Sequence, residues 1–90
     1  MKKNYILVEC IDREINSPEF FETEEQAYNE MTQRIADILK IQVEDIGTYD
    51  EYDIGISKSC AWINDYHHIN YDWKIFRIEI SDNSPICNYI

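Results

Sequence analysis

Glycine and proline are scarce in this 90-residue chain, which contains two of each. Glycine supplies backbone conformations with positive φ, and proline interrupts helices and central strands, so both residues usually mark turns. Their scarcity predicts long regular elements joined by few loops. The length allows one domain, which we place at residues 1–90, with residues 81–90 as a C-terminal tail.

Cysteine is also sparse, and Cys10, Cys60 and Cys87 are odd in number and far apart. The chain contains neither a Cys-x-x-Cys pair nor a cysteine–histidine spacing that is typical of zinc sites. This pattern argues against a disulfide framework. It favours reduced thiols in a cytoplasmic protein, packed as small apolar residues, and we predict no cofactor.

Long hydrophobic runs are missing, since no stretch approaches the roughly 20 apolar residues that span a membrane. The apolar residues after the initial MKK are interrupted by Glu9, so no signal peptide is predicted. Hydrophobic residues still make up 44% of the chain, which indicates a folded protein rather than a disordered one. We therefore expect a folded protein of the host-cell cytoplasm.

Basic residues are few, because 8 lysines and arginines accompany 18 acidic residues, giving a formal charge of −10 at pH 7. Such a charge is repelled by nucleic-acid phosphates and by anionic lipids, so direct binding to nucleic acid or to a membrane is not expected. A basic protein surface, such as that of a nucleic-acid-binding nuclease, is the favoured partner. Simple solubility is the alternative explanation of the same charge.

The clearest element in the chain is the stretch TEEQAYNEMTQRIADILK at residues 23–40. Thr23 is suited to the N-cap position, and Gln26 follows three residues later, as in a capping box. A single apolar stripe recurs at spacings of three and four residues. Its members are Ala27, Tyr28, Met31, Ile35, Ile38 and Leu39. We predict an amphipathic helix whose stripe packs into the core.

The opposite side of this helix is predicted to face solvent, because it carries mostly polar side chains. Arg34 lies on that side, with Glu30 one turn before it. An ion pair at this i,i+4 spacing contributes only a few tenths of a kcal/mol, roughly, to an exposed helix. We therefore predict a Glu30–Arg34 pair that contributes little to stability.

Three stretches rich in β-branched and aromatic residues indicate strands, at residues 4–15, 53–65 and 71–80. In the second of these, Ile54, Ile56, Cys60 and Trp62 share one parity and are predicted to share one face. The second and third strands are joined by the polar segment NDYHHIN, which predicts an antiparallel hairpin with a long loop.

The remaining segments are predicted to be connections between these elements. The stretch NSPEFF at residues 16–21 turns the chain towards the helix. After the helix, Ile41, Val43 and Ile46 form a short extra turn, and Gly47 ends it by adopting positive φ. The order β-α-β-β predicts a two-layer α+β domain, with one helix packed on a mainly antiparallel three-stranded sheet.

One helix covers one face of a sheet, so the second face of this sheet is expected to be open or only partly covered. The apolar residues proposed for this face are Tyr5, Trp62, Trp73 and Ile75. An exposed apolar face is typical of a partner surface or of a homodimer interface. We assign Trp62 and Trp73 to partner binding on this basis.

Acidic residues are concentrated in two blocks of the chain. The first surrounds the start of the helix and contains Glu19, Glu22, Glu24 and Glu25. The second follows the helix and contains Glu44, Asp45, Asp50, Glu51 and Asp53, together with Tyr49 and Tyr52. A helix of roughly 17 residues is about 25 Å long, so the two blocks are expected at opposite ends of the domain.

Two interpretations of these blocks stay open. Spaced carboxylates can imitate phosphates and occupy a basic nucleic-acid groove, and Tyr49 and Tyr52 would add rigid contact area. Alternatively, Glu24 and Glu25 stabilise the helix dipole while the second block is a solvated loop. The first interpretation assigns to partner binding Glu22, Glu24 and Glu25 of the first block and all seven residues of the second block.

No catalytic motif is recognisable in the chain. His67 and His68 lie near Asp65 and Asp72, but two adjacent histidines project differently and no i,i+4 spacing supports a zinc site. The acids of residues 45–53 lack the spacing of a calcium-binding loop, and no glycine-rich phosphate loop is present. We predict a protein without enzymatic activity and without a metal, with a histidine-bearing solvated loop.

Two stretches, FFETEEQAYNEM and AWINDYHHINYDWKIFRI, resemble a loose group of small acidic proteins from phages and mobile elements of low-GC Gram-positive bacteria. The match at the C-terminal strand is carried by Asp72, Trp73, Lys74 and Ile75. In size and charge the chain is also similar to anti-CRISPR proteins that block the nucleic-acid channel of a nuclease. The resemblance implies an inhibitor of host defence with no catalytic residues.

The final strand also resembles small phage proteins that sequester nucleotide signals, although their Gly-Trp-rich start is not found here. This likeness implies an alternative function as a small-ligand sponge. Such a sponge would act as a dimer or higher oligomer, with interface pockets lined by Trp62, Trp73 and His67. The leading hypothesis remains a counter-defence protein that binds a basic host protein through its acidic blocks.

Overall fold

The computed structural model describes residues 3–64 and 69–78, and within them the chain forms one α-helix, one 3₁₀ helix and six strands. The predicted α+β class is confirmed, but the sheet is larger than the three strands expected. The strands are β1 Tyr5–Ile11, β2 Glu14–Ile15, β3 Glu19–Phe21, β4 Asp53–Ile56, β5 Cys60–Asn64 and β6 Asn70–Arg77. The helix α1 is Glu24–Leu39, and the 3₁₀ helix is Val43–Thr48.

All strands pair antiparallel, in the order β2-β1-β6-β5-β4, and β3 pairs with the same edge of β1 as β2 does. Cys10 is opposite Ile15, and Leu7 is opposite Glu19. Three residues therefore separate β2 from β3, where only two residues of β1 lie between the facing positions. This is a β-bulge, and Pro18 lies in it because proline has no N–H for the ladder.

The first predicted strand, residues 4–15, is a hairpin rather than one strand. Asp12 and Arg13 form its two-residue turn, with φ angles of 51° and 73°. Positive φ at both turn positions matches the right-handed twist of the paired strands, and glycine or asparagine usually provides it. The prediction was wrong because no glycine marks this turn, and NSPEFF correspondingly contains β3 instead of a simple turn.

The second predicted strand, residues 53–65, is also a hairpin. The chain reverses after Ser57, whose N–H donates a 2.8 Å hydrogen bond to the carbonyl of Cys60. Ile54 is opposite Ile63, and Ile56 is opposite Ala61. Because of this reversal, Ile54 and Ile56 lie on the inner face of the sheet, whereas Cys60 and Trp62 lie on the outer face. The expectation that the four residues share one face is therefore wrong.

The predicted helix is confirmed, including its N-cap. The side chain of Thr23 accepts a 3.1 Å hydrogen bond from the Gln26 N–H, and the Gln26 side chain accepts one from the Glu22 N–H at 3.1 Å. The helix ends at Lys40, which adopts the left-handed conformation with φ of 60°. Gly47 lies inside the 3₁₀ helix without positive φ, so its predicted terminating role is wrong.

The core lies between α1 and the inner face of the sheet. Most of the predicted helix stripe is buried, with Tyr28 and Ile38 partly buried, and the 3₁₀ helix adds Ile46. The sheet contributes Leu7, Ala61, Ile63, Trp73 and Ile75. These side chains face α1, which lies over β1, β3 and β6. No helix in the described ranges is long and apolar enough to cross a membrane.

The open face of the sheet differs from the predicted one. Trp62 does lie on it, with 44% of its surface exposed, but Trp73 is 2% exposed and belongs to the core. Trp73 is opposite buried Ala61 on β5, so its side chain lies on the inner face of the sheet. Ile75 on the same strand and Tyr5 on the neighbouring strand β1 lie on this face too. The expected exposure of Tyr5, Trp73 and Ile75 is therefore wrong. The large apolar residues exposed on this outer face are Ile15, Phe20, Trp62 and Phe76.

Candidate interaction surface

The second acidic block connects α1 to the sheet. Glu44 and Asp45 lie in the 3₁₀ helix, while Asp50 and Glu51 follow it, and Asp53 begins β4. All five side chains are exposed. The structure therefore places this block on the surface at the end of the helix, as the sequence predicts.

The two tyrosines of this block are anchors rather than free contact surface. Tyr49 and Tyr52 are half-buried against the core, and their rings meet edge to face with centroids 5.7 Å apart. The Tyr49 hydroxyl donates a 3.1 Å hydrogen bond to Oε2 of Glu51. Because both rings pack against the protein, they hold the connection in place while its carboxylates point to solvent.

A row of polar residues crosses the sheet at the point where β4 begins. Asp53 is opposite Asn64 on β5, which is opposite Asn70 on β6, and the Asn70 carbonyl accepts a 2.8 Å hydrogen bond from the Asp12 N–H. Strands lie about 4.8 Å apart, so this row spans about 15 Å from Asp53 to Asp12. It forms one edge of a larger group of exposed acids.

This group, which we call the acidic end, unites residues that are distant in sequence. Asp50 and Glu51 directly precede β4, and Asp72 is the cross-strand partner of Trp62 on the open face. Sequence reasoning missed the contributions of the first hairpin and of β6, because only strand pairing brings them together. The members of the acidic end are Asp12, Asp50, Glu51, Asp53 and Asp72.

The acidic end has no internal neutralisation among the residues that the structure describes. None of its carboxylates forms a salt bridge there, and the last turn of α1 carries no basic residue. The C-terminus of a helix is the negative pole of its dipole, so α1 contributes further negative potential on this side. Basic side chains nearby are those of Arg13 in the hairpin turn and Lys40 at the helix end.

The first acidic block differs because two of its four carboxylates, those of Glu19 and Glu24, have partners within the protein. Glu19 accepts a hydrogen bond from Arg34, and Glu24 lies 3.8 Å from the Lys58 ammonium group. Glu24 and Glu25 occupy the first turn of α1, where the positive pole of the helix favours acids. These contacts support a structural role for this block, including Glu22, whose N–H belongs to the helix cap.

Arg34 is the residue whose importance the sequence concealed. Its guanidinium donates to Glu30 at 2.8 Å and to Glu19, and Nη1 lies 3.5 Å from Oε2 of Glu9. Burial lowers the pKa of Arg34, but the Glu30 hydrogen bond and the attraction of Glu9, Glu30 and Glu19 outweigh burial and raise it. The predicted Glu30–Arg34 pair is confirmed, and Arg34 in addition connects α1 to β1 and β3, which the sequence did not indicate.

Glu9 provides a signal for this network in the sequence. Glu9 lies two residues after buried Leu7 in β1, so its side chain is on the face of the sheet that α1 covers. A carboxylate on that face needs a partner. The nearby helix offers Arg34 on its less apolar side. An acid on the core-facing side of a strand, together with one arginine in the covering helix, predicts such an ion pair.

The predicted ligand pocket of the sponge hypothesis is not assembled as expected. Trp62 and Trp73 lie on opposite faces of the sheet, so they cannot line one pocket. His67, His68 and Asp65 lie outside the described residues. Among the described residues no group of three or more histidines, cysteines and acids is arranged to hold a metal ion.

Comparison with known proteins adds no relative to this description. No family model, no curated protein and no solved structure matches the chain. The proposed function therefore depends on the surface itself, and above all on the carboxylates of the acidic end, which form no salt bridge within residues 3–64 and 69–78.

Proposed function

We propose that this protein is a non-enzymatic interaction protein that binds a basic surface of another protein through its acidic end. The observation that carries the proposal is the convergence of Asp12, Asp72 and the segment 50–53 at the negative pole of α1. Exposed carboxylates that form no salt bridge among the described residues repel one another, and a basic partner relieves that repulsion.

The partner that best fits this surface is a protein with a nucleic-acid groove. The carboxylates of Asp53 and Asp12 lie at the two ends of a row about 15 Å long. This is of the same order as the roughly 12 Å between the phosphate backbones on either side of the DNA major groove, so the two carboxylates can stand in for phosphates of the two strands. The resemblance of the chain to acidic proteins of phages and mobile elements favours a nuclease of host defence as this partner. In this role the protein acts in the host cytoplasm by occupying the groove in place of nucleic acid.

The contact differs in two ways from the one expected from sequence alone. Carboxylates of the second block make it, supplemented by Asp12 and Asp72, while Trp62 lies beside Asp72 and adds an exposed indole. Trp73 has no part in it because its side chain is in the core. The first block stays with its internal partners.

The test compares two triple variants that remove the same charge from opposite ends of the domain. The variant Asp50→Asn/Glu51→Gln/Asp53→Asn neutralises the acidic end, and Glu22→Gln/Glu24→Gln/Glu25→Gln is its matched control. Each immobilised protein is exposed to a lysate of a low-GC Gram-positive bacterium that contains defence nucleases, and bound proteins are eluted with a 20-base-pair DNA duplex or with salt.

We expect the wild type to retain a nucleic-acid-binding protein that the duplex displaces, the acidic-end variant to lose at least nine-tenths of it, and the control variant to lose less than half. Retention falls between 0.05 and 0.5 M salt, because exposed charges are screened. The retained nuclease is then assayed for inhibition by the wild type. Equal retention by both triple variants, or retention that salt leaves unchanged, contradicts the proposed function.

A further inference from the structure

The outer edge of β4 carries unpaired backbone groups. Ser57 directs its N–H to Cys60 on β5, and successive residues of an antiparallel strand alternate in direction, so Gly55 and Asp53 also face β5. Ile54 and Ile56 consequently direct their N–H and C=O groups away from the sheet. No described strand pairs with this edge, which makes it a template for an additional strand.

A groove runs beside this edge, between β4 and α1. It exists because α1 lies over β1, β3 and β6, leaving the β4 side of the inner face less covered. Its volume is about 510 Å³, and Ile54 and Ile56 line it together with the 3₁₀ helix. The apolar side chains on its other walls are those of Tyr28, Val43 and Ile46.

Gly47 leaves this groove open. It lines the groove, and a Cβ added to it would have no other atom within 4 Å. Its φ is not positive, so a side chain there meets no backbone strain. The glycine is therefore a position at the groove where bulk can be added without disturbing the fold.

Acidic residues lie at one end of the groove. Past Tyr28 it continues into a second cavity of about 590 Å³, lined by Glu24, Glu25 and Lys58. Lys58 lies 3.8 Å from Glu24, whereas Glu25 has no salt bridge among the described residues. An apolar floor with a free carboxylate at one end is complementary to a segment with apolar side chains beside a basic one, and a second copy of a chain carrying −10 is disfavoured.

We propose that β4 and this groove bind an extended basic and apolar segment of the protein partner, which adds a strand to the sheet beside β4. The backbone groups of Ile54 and Ile56 pair with the segment, and its alternate side chains enter the groove. A basic residue of the segment lies near Glu25, at the Tyr28 end of the groove. The inference rests on the proposed function only in that the partner is a basic protein.

The test uses a nine-residue peptide of alternating lysine and valine with blocked ends, and two control peptides. One control replaces valine by serine and keeps the charge, while the other replaces lysine by glutamate and keeps the apolar residues. Binding to the full chain is measured by calorimetry. We expect the lysine–valine peptide to bind at least tenfold more tightly than either control.

Two variants locate the binding. Gly47→Gln fills the groove and should weaken binding of the lysine–valine peptide at least tenfold, whereas Gly47→Ala adds one methyl group and should change it less than threefold. Hydrogen exchange supplies an independent readout. The amides of Ile54 and Ile56 should exchange rapidly in the free chain and should become at least tenfold slower with saturating peptide.

Three outcomes overturn this inference: equal binding of the lysine–serine peptide, undiminished binding by Gly47→Gln, or Ile54 and Ile56 amides already protected in the free chain. The two proposals fail separately. If no peptide binds but lysate capture requires Asp50, Glu51 and Asp53, the inference that β4 binds an extended segment is wrong and the proposed function stands. If the lysine–valine peptide binds as expected but the acidic-end variant captures as much lysate protein as the wild type, the proposed function is wrong instead.

Discussion

The indole N–H of Trp73 donates a 2.7 Å hydrogen bond to Oε2 of Glu9, its cross-strand partner. Trp73 is almost fully buried, so its N–H needs an acceptor inside the protein. Oε1 of Glu9 accepts a second hydrogen bond of 2.7 Å from Asn16 beyond the hairpin turn, and Arg34 lies close to Oε2. One carboxylate thus joins the core tryptophan, the β-bulge region and the helix, which explains the acid within an apolar strand.

Removing this carboxylate should destabilise the fold. Glu9→Ala leaves the Trp73 N–H without its acceptor and removes a partner of Arg34, so we expect a loss of about 2–3 kcal/mol in the free energy of unfolding. Glu9→Gln keeps an acceptor and should cost about half as much. Urea denaturation followed by circular dichroism measures both, with the exposed Glu14→Ala as control. A Glu9→Ala cost no larger than that of the control would contradict this role.

Replacing Arg34 should affect stability more than an exposed helix cation does. Its side chain is 23% exposed and contacts three carboxylates, so Arg34→Ala should lower the free energy of unfolding by about 2 kcal/mol. The control is Lys58→Ala, since Lys58 is 85% exposed with one long ion pair and should change stability by less than about 0.5 kcal/mol. Equal effects of the two substitutions would show that the network has no special weight.

The pH dependence of the Arg34 contribution follows from the direction of its shift. The pKa of Arg34 is raised in the folded protein: burial opposes the charge, but its three carboxylates outweigh that effect. A base whose pKa is higher in the folded than in the unfolded protein stabilises the fold fully at any pH below its unfolded-state pKa. This stabilisation is lost only as the pH rises from there through the folded-state pKa. The stability difference between wild type and Arg34→Lys should therefore contain no titration of residue 34 between pH 6 and 9. Denaturation at both pH values tests this.

The contact between Gly55 and Trp62 makes a further prediction. A Cβ at residue 55 would lie 2.0 Å from the Trp62 ring, so Gly55→Ala should push the indole off the sheet. We expect a cost of about 1 kcal/mol and increased acrylamide quenching of tryptophan fluorescence. Gly47→Ala meets open space and serves as control. In the background Trp62→Ala the cost of Gly55→Ala should largely disappear, and an unchanged cost would refute the contact as its cause.

The N-cap of α1 provides a fourth structural prediction. Thr23→Ala removes the acceptor of the Gln26 N–H and should cost about 1 kcal/mol of stability. Thr23→Ser keeps the hydroxyl and should retain most of it. Thermal unfolding by circular dichroism at 222 nm compares the variants. A destabilised Thr23→Ser combined with an unaffected Thr23→Ala would reverse the expected order and exclude the cap as the cause.

Local chemistry made the helix predictable. Thr23 and Gln26 mark its start by a hydrogen bond within four residues, and the apolar stripe has the helical period whatever it packs against. The exposed position of Asp50 and Glu51 was predictable for the same reason, because consecutive charged residues are rarely buried. These features depend on neighbours in sequence, and the sequence contains all of them.

The turns were not predictable from composition. Positive φ, which glycine usually provides, occurs at Asp12, Arg13 and Lys40, whereas Gly47 does not adopt it. Left-handed conformations of ordinary residues carry a small cost that tertiary pairing offsets, and that pairing is invisible to local patterns. Missing the turns merged two strands into one in each of the first two predicted stretches. The expected face of Trp73 is wrong for another reason: β6 carries apolar residues on both faces, so its pattern does not show which face the helix covers.

The sequence by itself determined the class of the protein, its helix, its negative charge and the exposure of the second acidic block. Only the tertiary structure decided that Asp12 and Asp72 join that block, that Arg34 serves three carboxylates and that β4 is a free edge. The reason is range: propensity and periodicity act over one or two turns, whereas strand pairing joins residues about 60 positions apart, such as Glu9 and Trp73.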